Sequence, residues 1–421
     1  MPHILIFDIG KTNKKCLVFD EDYQIVIEKS TVLPETTDED GFPCEDLHIL
    51  VQWILNSYRE ILEDDSLDIK AINASAYGAS FVHLNDNFEP ITPLYNYLKP
   101  FPEYLKEQFF NKYGSDGKIA LETASPIMGN LNSGLQLYFL KHHKPLIFNQ
   151  IKYSLHLPQF IASLLSHQYV SELTSIGCHT MLWDFQKNSY HEWVITEDID
   201  KLFPPLHAFP PSKEPNLNAT IGLHDSSAAL IPYLATFKQP FVLISTGTWC
   251  ISLNPFNDEP LTPQELRQDC LCYLTHQGQP VKAARFFGGN EHEKAVNSIA
   301  VEYGVSPQFY KNTPRTSDGS QFMDTQNALD EYVEFMRSLV EKQVASTRLA
   351  IGNSGVQQIF VDGGFSKNEI FMNLLAKAFS GLEVYAAEVA QATALGAAVV
   401  LHEGWNTKPL PNDLIKCKRY N

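Results

Sequence analysis

The pattern that most restricts this chain occurs twice. Its first copy, residues 3–20, holds the apolar run Ile4-Leu5-Ile6-Phe7, then Asp8, Gly10, Lys11, Thr12, Asn13, Lys14 and Lys15, then a second apolar run over 16–19. Its second copy, residues 241–253, sets Ser245-Thr246-Gly247-Thr248 between the apolar runs 241–244 and 249–253. Each reads as strand, tight polar turn, strand. Two hairpins of one design, far apart in the chain, imply a duplicated domain with a site between the copies. The 421 residues are too many for one compact core and fit two domains of about 200 residues each.

The first turn is chemically loaded. A glycine there permits φ > 0 and lets backbone N–H groups converge on an oxyanion, while the lysines supply the charge a triphosphate seeks. Asp8 repels a polyphosphate unless a divalent cation stands between them, so its presence argues for Mg²⁺ held through water. Taken alone, the turn also fits an ordinary surface hairpin.

A formal charge of −17 opposes nucleic acid and acidic membranes, so any phosphate must bind at a local site working against the overall field. No apolar stretch reaches the roughly 18 residues that span a bilayer. The start, Met1-Pro2-His3-Ile4, leads into a strand without a basic leader, and the seven cysteines do not form a disulfide framework. A cytoplasmic protein with reduced thiols is the expectation, as a monomer or homodimer.

Along the chain, Asp46 opens a helix with apolar residues at 3.6-residue spacing, and a strand over 69–75 enters the small-residue turn Ala76-Tyr77-Gly78-Ala79-Ser80. Residues 174–184 read as a buried loop entering a strand, with His179 a core histidine rather than a ligand. Five prolines between Pro204 and Pro215 mark the linker. Just beyond, His224-Asp225-Ser226 precedes a helical run. Asp225 there reads either as a helix cap or as a base at the mouth of a cleft. Residues 285–290 form a glycine-containing turn before a helix. A strand over 358–361 ends in Asp362-Gly363-Gly364, with Ser366 and Glu369 as a capping box. Residues 390–401 are a small-residue helix.

The order of these pieces resembles the FGGY carbohydrate kinases. The resemblance rests on FDIGKTNKK (7–15), GASF (78–81), YVSELTSIGCHTMLWDF (169–185), GLHDSSAA (222–229), STGTW (245–249), VDGGFSKN (361–368) and ATALGAA (392–398). It implies an α/β, two-lobed, duplicated ribonuclease H-like fold of the actin, hexokinase and Hsp70 ATPase type, with an interlobe cleft. The lobes would be 1–220 and 221–421. It further implies Asp225 as general base, Asp8 as the Mg²⁺ residue, and Lys11, Thr12, Asn13, Lys14, Lys15, Gly247 and Thr248 around the ATP phosphates. Gly364, Asn368 and Asn290 would meet adenosine, and Gly78, Ala79, Ser80, Phe81, His224 and Ser226 the sugar. GASF and His224-Asp225-Ser226 are most similar to the rhamnulokinase and fuculokinase branch, which implies a 6-deoxyketohexose phosphorylated at its primary hydroxyl. A pentulose kinase, or a sensor of the same fold without catalysis, are the alternatives.

Overall fold

The strand Pro2–Ile9 pairs antiparallel with Lys14–Phe19, which pairs antiparallel with Ile25–Thr31. On its other side it runs parallel to Asp68–Ala76, and Leu223–His224 continues the sheet, also parallel. The computed structural model describes residues 1–207, 221–311, 319–389 and 391–421, with the side chains of 319–323 outside the description. The second sheet repeats the first strand for strand. Phe241–Thr246 pairs antiparallel with Cys250–Asn254, and that with Pro280–Phe286; on the other side Gln358–Gly363 and then Glu383–Glu388 run parallel. Cys270–Leu274 and Lys416–Tyr420 extend its two edges. The duplication read from two hairpins is thus a duplication of whole sheets, and the fold is the two-lobed ribonuclease H-like one.

The central strands read as unbroken apolar runs because both faces of the sheet are covered. Leu5 and Phe7 pack with Leu50 and Ile54 of the helix Leu47–Leu62, while Ile4 and Ile6 pack on the other face with Ala394, Ala397 and Ala398. That second face explains the small-residue helix, observed as Ala392–Val399. Although it follows the last parallel strand of the second sheet, it packs on the first. A Cβ on Gly396 would stand 1.8 Å from the Ala228 carbonyl oxygen, so this helix and Asp225–Thr236 touch backbone to backbone. Asn73 locks the joint: its Nδ2 donates to the Ala397 carbonyl at 2.9 Å and its Oδ1 accepts from the Gly222 N–H at 3.1 Å.

Two local expectations change. Residues 174–184 begin not as a loop but in a short helix, Leu173–Ile176, capped by Glu172, and only Trp183–Asp184 is strand. The helix Glu369–Ala378 is capped by Asn368, not Ser366, because a 3₁₀ turn, Gly364–Lys367, intervenes. Of the linker prolines, Pro210, Pro211 and Pro215 lie outside the described residues. The pairing of Leu223 and His224 with Ser75 and Ala76 means that a stretch after residue 220 supplies the last strand of the first sheet.

Candidate active site

In parallel sheets of this kind ligands meet the carboxyl ends of the strands. Those ends bring together Asp8, Ser75 and the pair His224-Asp225. Asp8 Oδ1 accepts from Ser75 Oγ at 2.6 Å and Oδ2 from Thr393 Oγ1 at 2.8 Å. Burial pushes the Asp8 carboxyl above its usual range; the two hydroxyls and Lys15 oppose that rise, and the charge of Asp225 adds to it. Two carboxylates more than half the chain apart in sequence therefore feel one another's charge.

Asp225 is the first residue of its helix, and the cap position belongs to His224, which makes no side-chain cap bond. Among the described residues the Asp225 carboxylate accepts only from the N–H and hydroxyl of Ser226, at 2.6 and 3.3 Å, and has His224 Nε2 at 3.2 Å. Its side chain keeps 32 % of its surface, so an oxygen remains free to meet a ligand. Burial lowers the His224 imidazole's affinity for a proton against the pull of Asp225. The His224 N–H donates to Thr174 Oγ1 at 2.9 Å, and Thr174 Oγ1 in turn donates to the buried Glu172. Burial raises the Glu172 carboxyl to about 7.

The hairpin tips divide their residues. Thr12 and Asn13 are exposed at the first tip, which Gly10 closes by donating to the Asn13 carbonyl at 2.9 Å. Lys14 turns inward: its Nζ lies 2.8 Å from Glu45 Oε1 and donates to the Gly10 and Lys11 carbonyls. Lys11 Nζ is paired with Glu35 at 3.1 Å. Lys11 and Lys14 are thus both engaged by glutamates, whereas Lys15 Nζ donates to Gln391 Oε1 at 2.6 Å and its charge reaches Asp8.

At the second tip Gly247 and Thr248 are exposed, and two glycine turns close in on it. A Cβ on Gly289 would lie 1.9 Å from the Gly247 carbonyl oxygen, and one on Gly363, at φ +88°, would lie 2.0 Å from that of Thr246. The Asn290 N–H donates to the Thr248 carbonyl at 3.2 Å, so the N-terminus of the helix Gly288–Glu302 stands at the tip. Such a terminus favours anions. Gly364 has open space before it, while Asn368 is committed to its cap and to the Tyr332 hydroxyl at 2.7 Å.

Of the residues expected to meet a sugar, Ser80 and Phe81 make internal contacts. Ser80 Oγ donates to the Tyr95 carbonyl at 3.2 Å, and Phe81 stacks on His156 with ring centres 4.0 Å apart. The Ala79 carbonyl is held by Gln136 Nε2 at 2.7 Å. Gly78 lies against His224, since a Cβ there would meet the imidazole at 2.5 Å.

Sequence reasoning overlooked Tyr97 and Tyr273, whose hydroxyls feel the Asp225 charge, and Arg285. Arg285 lies 4.9 Å from the Trp249 ring centre, and its charge reaches His179 and Tyr273, which links the second tip to the Asp225 chamber. Trp249 and Phe287 form an exposed aromatic pair at that tip. An arginine before a glycine turn was the available signal; the tyrosines carried none.

Residues 3–208 match the N-terminal domain of the FGGY family of carbohydrate kinases, and residues 238–315 and 314–402 match its C-terminal domain in two overlapping parts. The chain belongs to the FGGY family of carbohydrate kinases. It is similar to a rhamnulokinase of Oceanobacillus iheyensis, 22 % identical over 417 residues covering 86 % of this chain and 84 % of that one. It is also similar to an L-fuculokinase of Haemophilus influenzae, 23 % identical, covering 58 % and 56 % of the two chains. Among solved structures, a carbohydrate kinase from Novosphingobium aromaticivorans shares the fold with a TM-score of 0.78 and 21 % identity, covering 99 % of this chain and 93 % of that one. A xylulose kinase from Lactobacillus acidophilus does so with a TM-score of 0.75 and 17 % identity, covering 100 % and 94 %.

This kinase, like its family, uses ATP as a substrate. The donor set fits Mg²⁺: the charges of two carboxylates, Asp8 and Asp225, repel, and a hard dication held by oxygen relieves that repulsion. Among the described residues no helix is long and apolar enough to cross a membrane.

Proposed function

We propose that this kinase transfers the γ-phosphoryl group of ATP to the primary hydroxyl of a small ketose, a 6-deoxyketohexose such as L-rhamnulose or L-fuculose, in the cytoplasm. The observation that carries the reading is the Asp225 carboxylate: part-exposed at a strand's carboxyl end, free of any capping duty and opposite Asp8. In this reading Asp225 takes the proton of the sugar hydroxyl as its oxygen attacks the γ-phosphorus, and ADP leaves with the electrons of the broken P–O bond. His224, held by Thr174 and Glu172, orients the base. Lys15 and the N–H groups of the two tips meet the phosphate charge, which costs least where donors are already oriented. Mg²⁺, when bound beside Asp8, neutralises part of that charge.

The named activities of the sequence relatives support the 6-deoxy sugar, and the xylulose kinase fold neighbour keeps a pentulose as the second reading. A coupled ADP-release assay over ketohexoses, 6-deoxyketohexoses, pentuloses and polyols decides between them. The proposal expects the highest kcat/KM with L-rhamnulose or L-fuculose. A pentulose ranked first transfers the assignment to the second reading, and no sugar-dependent ADP with any member overturns both.

A further inference from the structure

Beside the Asp225 carboxylate, Cys178, His179 and His224 each offer one ligand atom, and the three atoms lie within 4.8 Å of one another. Among the described residues, both ring nitrogens of His179 and Nδ1 of His224 are buried without a hydrogen-bond partner. Buried polar nitrogens nearly always have one, so three together on two touching side chains need a reason. All three atoms are shut off from solvent. Gly78 forms the floor: a Cβ there would lie 3.1 Å from Cys178 Sγ and 3.1 Å from His224 Nε2, so the bare backbone keeps the space between those atoms free. The Tyr273 ring flanks both imidazoles, with centres 6.2 Å from His179 and 5.5 Å from His224.

We propose that Cys178, His179 and His224 bind a soft divalent cation of the zinc class, and that the bound ion inhibits the kinase. Two imidazoles and a thiolate select Zn²⁺ over Mg²⁺, which prefers oxygen, so the ion required by ATP does not compete. On binding, a sulfur–metal bond forms and the thiol proton passes to solvent. Three protein ligands leave a fourth position open, and the Asp225 carboxylate lies beside the His224 ring, with Oδ1 3.2 Å from Nε2. A dication there weakens the carboxylate as a base. The inhibition rests on Asp225 being that base; the binding does not.

Titration of the full chain with Co²⁺, on a Cys417→Ser background that removes the exposed thiol, tests the site without sugar or turnover. One Co²⁺ per chain should bind with a thiolate charge-transfer band in the near ultraviolet, resist excess Mg²⁺ and yield to Zn²⁺. Cys178→Ser should abolish the band, and His179→Ala should weaken Zn²⁺ binding by about tenfold or more. Asp225→Asn should leave the band in place. Absence of the band, or its survival in Cys178→Ser, overturns the site. Zn²⁺ should also inhibit ADP release by the parent at concentrations about tenfold below those that inhibit Cys178→Ser; a normal band with turnover unaffected by Zn²⁺ overturns the inhibitory role alone.

Discussion

Lys14 and Lys15 are neighbours on one strand, and strand alternation sends them to opposite faces. Lys14, with 3 % of its side chain exposed, pairs at 2.8 Å with Glu45, whose side chain is 8 % exposed. Removing one member of a buried pair strands the other charge, at a cost of about 3–5 kcal/mol. Lys14→Met should therefore lower the thermal midpoint sharply, and Lys14→Met with Glu45→Gln should recover part of the loss. Lys15→Met should do the reverse: a midpoint close to the parent's with turnover reduced by about tenfold or more, read by thermal denaturation and ADP release. A larger stability loss in Lys15→Met than in Lys14→Met contradicts this division. Three lysines and an aspartate in the turn were legible in the sequence. Which lysine faced inward was not, because the partner that decides it, Glu45, lies on a strand 31 residues away.

The short helix Leu173–Ile176 shows a cap that reaches the His224-Asp225 pair. Glu172 ties it down through the N–H groups of Thr174 and Ser175, and Thr174 holds the His224 backbone. Burial raises Glu172 from its usual value near 4.5 to about 7. The folded state thus keeps a proton that the unfolded chain releases, so this contribution to stability is complete below about pH 4.5 and is lost as pH rises to about 7. Glu172→Gln should flatten stability against pH across that window by up to about 1.4 kcal/mol per pH unit, read by urea denaturation at several pH values. An unchanged slope contradicts it. At the joint between lobes, Gly396→Val should cost about 1–3 kcal/mol or more, because the Ala228 carbonyl already occupies the space a Cβ needs. Helices with clear periodicity, such as Leu47–Leu62 behind its Asp46 cap, were legible in full. The cap at Asn368 was not, since a 3₁₀ turn can displace a helix start without altering the apolar pattern that follows.

Across the molecule, the two sheets repeat one design with an exchange of chemistry. Asp8 pairs in register with Ser75 in the first sheet, and at the corresponding place in the second, Ser245 pairs with Asp362. The topology was therefore legible from the hairpins, whereas the joint made by a late helix packing on the first sheet needed the tertiary structure. The net charge of −17 acts on the whole, and with Lys11 and Lys14 paired to glutamates little local positive field offsets it. ATP should associate more readily as salt rises from about 10 mM to about 150 mM, seen as a falling KM; a rising KM would show that the local cations dominate. The proposed mechanism requires Asp225 and the two hairpin tips to meet the same substrates. The most direct measurement is turnover of Asp225→Asn beside its binding of ATP: the account predicts a loss on the order of 10²–10⁴ in kcat with nucleotide affinity retained, and turnover near that of the parent would contradict it.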